Sequence, residues 1–287
     1  MELVQAATTI ALLVFVITSM LAMGLSLSPR QIAEPLRDTR LVLLSLAANF
    51  IVMPLGAILL ARLLQLKQPL AVGFLLLGCA AGAPFLPKLA EIAKADLAFA
   101  VGLMVLLMVV TVVFMPLVLP LALPGVSIDP AKIARTLILL MLLPLSIALA
   151  FRARYASVAE RFKPAIARVS SLGLIAFVIL VALSNVRNMV ELFGTRGLFA
   201  AASFIALGIV TGLLLGGTDA RVRRTLALGT AQRNIAAAVV VGGQIGDPRA
   251  VVMIVVVALI GFAILMPLSR AFGRPGSAEP VASSGDA

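Results

Sequence analysis

The chain has 287 residues, of which 62% are hydrophobic, and a formal net charge of +11. Soluble globular proteins have about half of their residues apolar, so this composition excludes that class and indicates several membrane spans. The chain has no histidine and a single cysteine, Cys79, which excludes zinc sites, haem and histidine acid/base chemistry in practice. We therefore predict no metal site and no cofactor, with Na⁺ or H⁺ considered only as a coupling ion.

The positive charge does not indicate a nucleic acid partner. Lys and Arg lie mainly in loops between apolar runs, without interleaved aromatic residues, so the predicted partner is the lipid bilayer. Most of these cations fall in the loops of one side. By the positive-inside rule, the N-terminus is expected outside and the C-terminus in the cytoplasm, in a cell (inner) membrane.

The apolar runs predict an all-α polytopic membrane protein with about nine transmembrane helices. A single transmembrane domain is expected over residues 1–270, followed by a disordered cytoplasmic tail, 271–287, whose Gly, Pro, Ser and Ala residues cannot bury a core. Helix 4 is expected to begin after Asp96 as N-cap. The most basic loop is expected at 152–168, between helices 5 and 6. Helices 1, 2 and 3 are predicted near residues 4–25, 41–60 and 69–79. Helices 5 to 9 are predicted, in order, near residues 134–150, 169–183, 198–215, 225–243 and 251–268.

Helix 2 carries an amide, Asn49, near its centre. A polar group at that depth requires a partner. Two roles fit Asn49: a ligand to a substrate, or a hydrogen bond between helices worth about 1 kcal/mol.

Helix 3 is predicted to break after Cys79, because Gly82, Pro84 and Pro87 follow closely. Such a break at membrane depth is tolerated when it is buried in protein or lines water. A simple proline kink is the alternative. Lys88 and Glu91 follow at helical spacing, so they are candidates either for coupling or charge compensation, or for a solvated ion pair.

Helix 8 contains the most informative stretch, in which Arg233 lies between Gln232 and Asn234. Arg233 is nine residues beyond Arg224, so it sits about 13 Å into a hydrocarbon layer about 30 Å thick. An ionisable group there commonly marks a substrate pathway, and the alternative is an arginine that holds broken backbone carbonyls together. We predict a substrate-binding set and a second helix break, at the following residues: Asn49, Thr230, Gln232, Arg233 and Asn234 for the substrate, and Gly229 for the break.

The two irregular helices, 3 and 8, are separated by five positions in the order of the helices. An odd offset reverses direction across the membrane, so they fit inverted five-helix repeats, the first lacking one helix. Paired interruptions in two halves are a pointer to a transporter site.

At this point the chain resembles the bile acid:sodium symporter family, as a divergent bacterial-type member. The matching residues occur in the family's order: 23–27, Asn49 with Met53 and Pro54, Gly78 with Gly82, Pro144, and Gly229 with 236–238. The resemblance implies a panel of helices 1, 5 and 6 and a core of helices 2–4 and 7–9. In that core, helices 3 and 8 would break and cross.

The sequence departs from the family where its sodium-coupled members hold sodium. Their polar positions after the first break, in helix 4 and before the helix 8 glycine fall here on apolar residues: Phe85, Leu86, Pro87, Ala100, Met104 and Ala227. Only the helix 2 amide remains, as Asn49 in place of a Gln. Sodium coupling is therefore not carried over with the fold.

The leading hypothesis is a secondary transporter that moves a small organic anion, bile-acid-like or another carboxylate, by alternating access. The alternatives are a sodium-coupled symporter that uses backbone ligands, a membrane-embedded enzyme and a passive channel. No span carries a nucleophile–base pair, so an enzyme is not predicted. The sequence does not indicate the oligomeric state.

Overall fold

The computed structural model describes residues 2–33, 37–123, 126, 129–188 and 196–274, and these are helical apart from short connections. The helices, in chain order, are α1 (Glu2–Gly24), α2 (Pro29–Ala33), α3 (Thr39–Ala47), α4 (Met53–Leu63), α5 (Gln68–Cys79), α6 (Leu86–Ile92), α7 (Leu97–Ala122), α8 (Pro130–Leu137), α9 (Leu143–Arg154), α10 (Ala156–Ser184), α11 (Gly197–Leu215), α12 (Ala220–Ala231), α13 (Ile235–Ile245) and α14 (Pro248–Phe272).

Two pairs of these helices form continuous spans through a π-helical turn. Ala48–Val52 joins α3 to α4, and Ile138–Leu142 joins α8 to α9. Each turn immediately precedes a helix with proline at its second position, Pro54 or Pro144. Proline lacks a backbone N–H, so the hydrogen-bond ladder is locally rearranged rather than ended.

Seven helical segments of the described residues are long and apolar enough to cross a membrane. They are α1, α3–α4, α7, α8–α9, α10, α11 and α14. Their outward faces are apolar and exposed, as at Leu59, Leu121 and Leu172, which suits contact with lipid. The chain is a multi-pass α-helical membrane protein.

Aspartate side chains cap five of the described helices at their N-termini. Each of Asp38, Asp96, Asp129, Asp219 and Asp247 accepts a hydrogen bond from a backbone N–H of the following turn. These N–H groups have no partner within the helix, and the carboxylate also suits the positive end of the helix dipole. The prediction of Asp96 as the N-cap of helix 4 is confirmed.

The prediction of a basic loop at 152–168 is wrong. Helix α9 continues to Arg154 and α10 begins at Ala156, so nearly all of this segment is helical. Arg and Lys are good helix formers, and their long side chains reach water from a helix end, so charge alone does not mark a loop here.

The predicted boundary between the transmembrane domain and the tail, at residue 271, lies inside a helix. Ala271 and Phe272 are the last residues of α14, and the α14 end packs against α6, where Gly273 lies close to the carbonyl of Ile92. Residues 275–287 lie outside the described residues.

Helix contacts place the termini of α5, α6, α12 and α13 together. Helix α5 packs against α4, α13 and α14, whereas α6 packs against α7, α12 and α14. Separately, α1 packs along α9 and α10. The interruptions between α5 and α6 and between α12 and α13 therefore lie next to each other inside the protein.

Candidate functional site

The first interruption follows Cys79, as predicted from the glycine and prolines. Ala80 is extended, with φ −95° and ψ 93°, and Gly82 adopts a left-handed φ of +79°. Helix α6 then begins at Leu86, so Pro84 lies in the interruption and Pro87 lies in the first turn of α6. Proline is well suited to a first turn because its missing N–H would have no partner there.

A threonine of the neighbouring helix holds this interruption in place. The hydroxyl of Thr111, in α7, accepts from the backbone N of Ala81 at 3.0 Å and donates to the O of Ala81 at 3.1 Å. Both backbone groups are thereby satisfied, as buried polar groups must be. Thr111 is not among the residues predicted from the sequence, although it is the one polar residue in the apolar run of α7, which is a signal for such a role.

The second interruption lies at 232–234, not at Gly229. Helix α12 continues to Ala231, and Gln232 is extended, with φ −78° and ψ 116°. Gly229 is inside α12, where a Cβ would lie 2.9 Å from Leu86 and 3.1 Å from Leu103. Its small size permits close packing, so the prediction of Gly229 as a break is corrected.

The two interruptions are hydrogen-bonded to each other by Asn234. Its backbone N donates to the O of Ala80 at 2.9 Å, and its Nδ2 donates to the O of Gly82 at 3.0 Å. The same side chain caps α13 by accepting from the N of Ala237 at 3.1 Å. Asn234 therefore satisfies groups on both interrupted helices.

Arg233 is 4% exposed, and its guanidinium makes four hydrogen bonds to protein oxygens. Nε donates to the O of Leu77 at 2.9 Å, and Nη2 donates to the O of Gly78 at 2.7 Å. Nη1 donates to Oδ1 of Asn49 at 2.7 Å and to the O of Thr230 at 3.2 Å. None of these acceptors is a carboxylate.

Three of those oxygens belong to the C-terminal turns of α5 and α12. Carbonyls at a helix C-terminus lack the regular (i+4) donors and carry the negative end of the helix dipole, although Leu77 O also accepts from the N of Ala80 at 3.1 Å. A buried positive charge therefore neutralises two helix ends where they meet. This is the arrangement expected of an arginine that holds broken backbone carbonyls together.

Asn49 and Thr230 complete the cluster. Nδ2 of Asn49 donates to the O of Ser45 at 3.0 Å and to Oγ1 of Thr230 at 3.3 Å. The fold thus brings together Asn49, Thr230, Arg233 and Asn234, and fully buries all of them except for the slight exposure of Arg233. Asn49, Thr230 and Asn234 do not line the large cavity described next.

A cavity of about 680 Å³ lies on one side of the second interruption. One wall is formed by α1 and α10, and the other by the two interruptions, α6, α7 and α14. Gln232, Arg233, Ile235 and Ala236 lie at its inner end. The lining is mainly apolar. It includes Phe85 and Phe262, whose rings are in edge-to-face contact with their centroids 5.2 Å apart.

Lys88 and Glu91 line the same cavity and form an ion pair of 2.8 Å. Their side chains are 57% and 59% exposed, so this is a solvated (i, i+3) pair at the mouth, of the kind that contributes little to stability. Lys163, on α10, lines the opposite side of the mouth.

The family profile described as Sodium Bile acid symporter family matches residues 11–192 of this chain. No curated protein is similar enough to count as a significant match. The matched segment covers α1 through α10 almost completely and includes the first interruption and Asn49, whereas the second interruption lies beyond it. Because the match spans more than half of the chain, this membrane protein belongs to the sodium bile acid symporter family, a family of transporters.

Proposed function

We propose that the chain is a secondary transporter that moves a small organic anion across the cell (inner) membrane by alternating access. One observation carries the proposal: the two interrupted helices meet at the inner end of a cavity of about 680 Å³. Paired interrupted helices in two halves of a chain are a recurrent way of building a transporter site.

The proposed architecture has nine spans, the seven long segments plus two interrupted ones, α5–α6 and α12–α13. These two are the third and eighth spans, and they are proposed to cross each other. They occupy equivalent positions in two inverted five-helix repeats, of which the first repeat lacks one helix. The panel comprises α1, α8–α9 and α10, and the remaining spans form the core. The packing of α1 along α9 and α10, and of α5 and α6 within the other helices, supports this division.

The proposed anion site is the inner end of the cavity, at the N-terminus of α13. The first N–H groups of a helix have no intrahelical partner and attract negative charge, and Ile235 and Ala236 of this turn line the cavity. Gln232 lines it as well. Of the five predicted substrate ligands, Gln232 and Arg233 are proposed to face the anion, and Asn49, Thr230 and Asn234 to support them.

Arg233 contributes mainly a fixed positive charge in this proposal. Four of its five N–H groups are already donated to protein oxygens, so at most one remains for a substrate. Amide and carbonyl oxygens are also the ligands that a hard cation such as Na⁺ prefers. The guanidinium of Arg233 already binds the amide oxygen of Asn49 and three carbonyl oxygens. Because these oxygens are not free to bind a sodium ion, the arrangement supports transport without sodium.

The cavity mouth is proposed to face the cytoplasm, with the N-terminus outside and the C-terminus inside. Lys88, Glu91 and Lys163 surround that mouth, on the side to which the positive-inside rule assigns the cytoplasm. The described conformation is then inward-facing. Lys88 and Glu91 would compensate charge at the entrance rather than bind the substrate deep inside.

A thermal-shift screen of the purified chain tests the anion class. Bile acids, keto acids, pantothenate and related carboxylates would be added with and without sodium, because a ligand that binds the native state stabilises it by mass action. We expect stabilisation by at least one carboxylate without sodium. Uptake into proteoliposomes against a gradient then separates a transporter from a channel, and chemical conversion of the substrate would reveal an enzyme.

A further inference from the structure

The wall formed by α1 and α10 contains one hydroxyl on α1, that of Ser19, for which the described residues provide no hydrogen-bond partner. Ser19 lies on α1, lines the cavity and is 7% exposed. Its Oγ has no hydrogen-bond partner among the residues that the structure describes. The Oγ is not fully shielded from solvent, so water can bond to it when no substrate is bound. A ligand that displaces this water without replacing the bond leaves the hydroxyl unpaired, at about 1–3 kcal/mol.

The other hydroxyls of this segment behave differently. Thr8, Thr9, Thr18 and Ser26 each donate to the backbone carbonyl four residues earlier, at 2.5–3.0 Å. That internal bond is the usual solution for a serine or threonine in a helix. Ser19 departs from this pattern at the position where α1 lines the cavity.

The opposite wall contains a second unused polar group. Gln232 is 6% exposed and lines the cavity, and its carboxamide has no partner in the described part of the chain. Its backbone N is satisfied by the O of Leu228 at 2.9 Å, so only the side chain is left over. A carboxamide and a hydroxyl can each both donate and accept a hydrogen bond.

The remaining lining between these groups is largely apolar. Met23, Phe85 and Phe262 are among its residues, and α1 contacts α13, whose N-terminus closes the inner end.

Of the other lining hydroxyls, Ser26 and Ser171 already donate within their own segments, and Ser170 is only half-buried. Ser19 and Gln232 are thus the residues that offer a largely buried, unpaired polar group to a ligand on each wall, besides the positive charge at the inner end. An unsubstituted hydrocarbon chain would leave both groups unpaired.

We infer that Ser19 and Gln232 are specificity-determining residues that hydrogen-bond an uncharged oxygen, a hydroxyl or an oxo group, on the transported anion. The inference rests on the proposed function, since it assumes that an organic anion occupies the cavity. A site built to hydrogen-bond a substituent rejects the analogue that lacks it, because the buried protein groups then stay unpaired. The substrate is accordingly a hydroxy- or oxo-carboxylate rather than a plain carboxylate.

The test uses carboxylates of one carbon skeleton that differ in a single group: 3-methylbutanoate, 2-hydroxy-3-methylbutanoate and 2-oxo-3-methylbutanoate. A second series compares 5β-cholanate with its 7α-hydroxy derivative, so that a larger substrate is covered. Dissociation constants would be measured by calorimetry on the purified full chain, for the parent and for Ser19→Ala, Ser19→Thr and Ser26→Ala. Ser26 is the matched control, since it lines the same wall but already donates to Ala22.

We expect the parent to bind the substituted member of at least one series about tenfold more tightly than the plain one, which corresponds to one hydrogen bond of about 1.4 kcal/mol. Ser19→Ala should remove that preference without weakening the plain carboxylate, whereas Ser19→Thr and Ser26→Ala should keep it. Equal binding of all members by the parent, or an unchanged preference in Ser19→Ala, would overturn the inference alone. Binding of no carboxylate at all would overturn the proposed function, and this inference with it.

Discussion

Nη1 of Arg233 donates a hydrogen bond of 2.7 Å to Oδ1 of Asn49, and this bond links the second interruption to the π-helical turn of α3–α4. The two residues are 184 positions apart in the chain. Through the same guanidinium, Asn49 is connected to the carbonyls of Leu77 and Gly78. One side chain therefore joins three spans at the point where two of them are broken.

Removal of the guanidinium should destabilise the protein. Arg233→Ala leaves several buried oxygens without a donor, at about 1–3 kcal/mol each, so we expect a loss of about 3 kcal/mol or more in the free energy of unfolding. Arg233→Lys keeps the charge but not the planar fork, and should lose stability and anion binding in part. Thermal unfolding in detergent measures the first effect, with the exposed Arg62→Lys as control.

Guanidinium ion at millimolar concentration should restore part of the stability of Arg233→Ala. It fits the vacated oxygens, whereas at that concentration it should not affect the parent. A variant as stable as the parent would mean that the four oxygens do not depend on Arg233.

The hydroxyl of Thr111 should be needed to hold the first interruption. Thr111→Val has nearly the same shape but leaves the N–H and O of buried Ala81 unpaired, so we expect it to cost about 1–3 kcal/mol of stability. Thr111→Ser should cost much less because the hydroxyl remains. Thr136→Val is the matched control, since the hydroxyl of Thr136 bonds only within its own helix. Equal unfolding temperatures for the two valine variants would contradict this role.

Gly82 should tolerate no side chain, for two separable reasons. Its φ of +79° is strained for other residues, and a Cβ would overlap the backbone of Met104 and Met108. Gly217 has nearly the same φ, +76°, with nothing within 4 Å of its Cβ position. Gly217→Ala should therefore cost only the conformational strain, about 1–2 kcal/mol, and Gly82→Ala clearly more. Thermal unfolding compares the two, and a smaller effect at Gly82 would rule out the close approach.

Transport should not depend on sodium. A sodium ion about 4 Å from the guanidinium would be repelled by about 4 kcal/mol at an effective dielectric constant of 20. Replacement of sodium by choline at fixed pH should thus leave the initial uptake rate unchanged. A steep sodium dependence with a Hill coefficient near two would show that other backbone oxygens bind the ion, as in the sodium-coupled alternative.

The proposed orientation can be tested by cysteine labelling. Gln68→Cys should react with an impermeant maleimide from outside, and Ser157→Cys only after permeabilisation, since both positions are exposed at opposite predicted sides. The parent provides the background, because its one cysteine, Cys79, is fully buried. Labelling of Ser157→Cys from outside would contradict the proposed orientation and indicate the opposite one.

The apolar runs were sufficient to predict a multi-pass helical protein, and two prolines near Gly82 to predict the first interruption. The second was misplaced because a glycine that permits close packing, as Gly229 does against Leu86, looks the same in sequence as one that ends a helix. The partners of Arg233 were beyond sequence reasoning for another reason. Most of them are backbone carbonyls, and every residue has one, so only the folded chain selects Leu77 and Gly78.

A guanidinium that is part of the chain cannot leave with the cargo. In a proposed cycle without a co-transported sodium ion or proton, a monovalent anion would cross the membrane alone, and each turnover would carry net negative charge. A membrane potential of about 100 mV, negative inside, contributes about 2.3 kcal/mol per charge. In the proposed cycle, that voltage would favour outward movement of the anion.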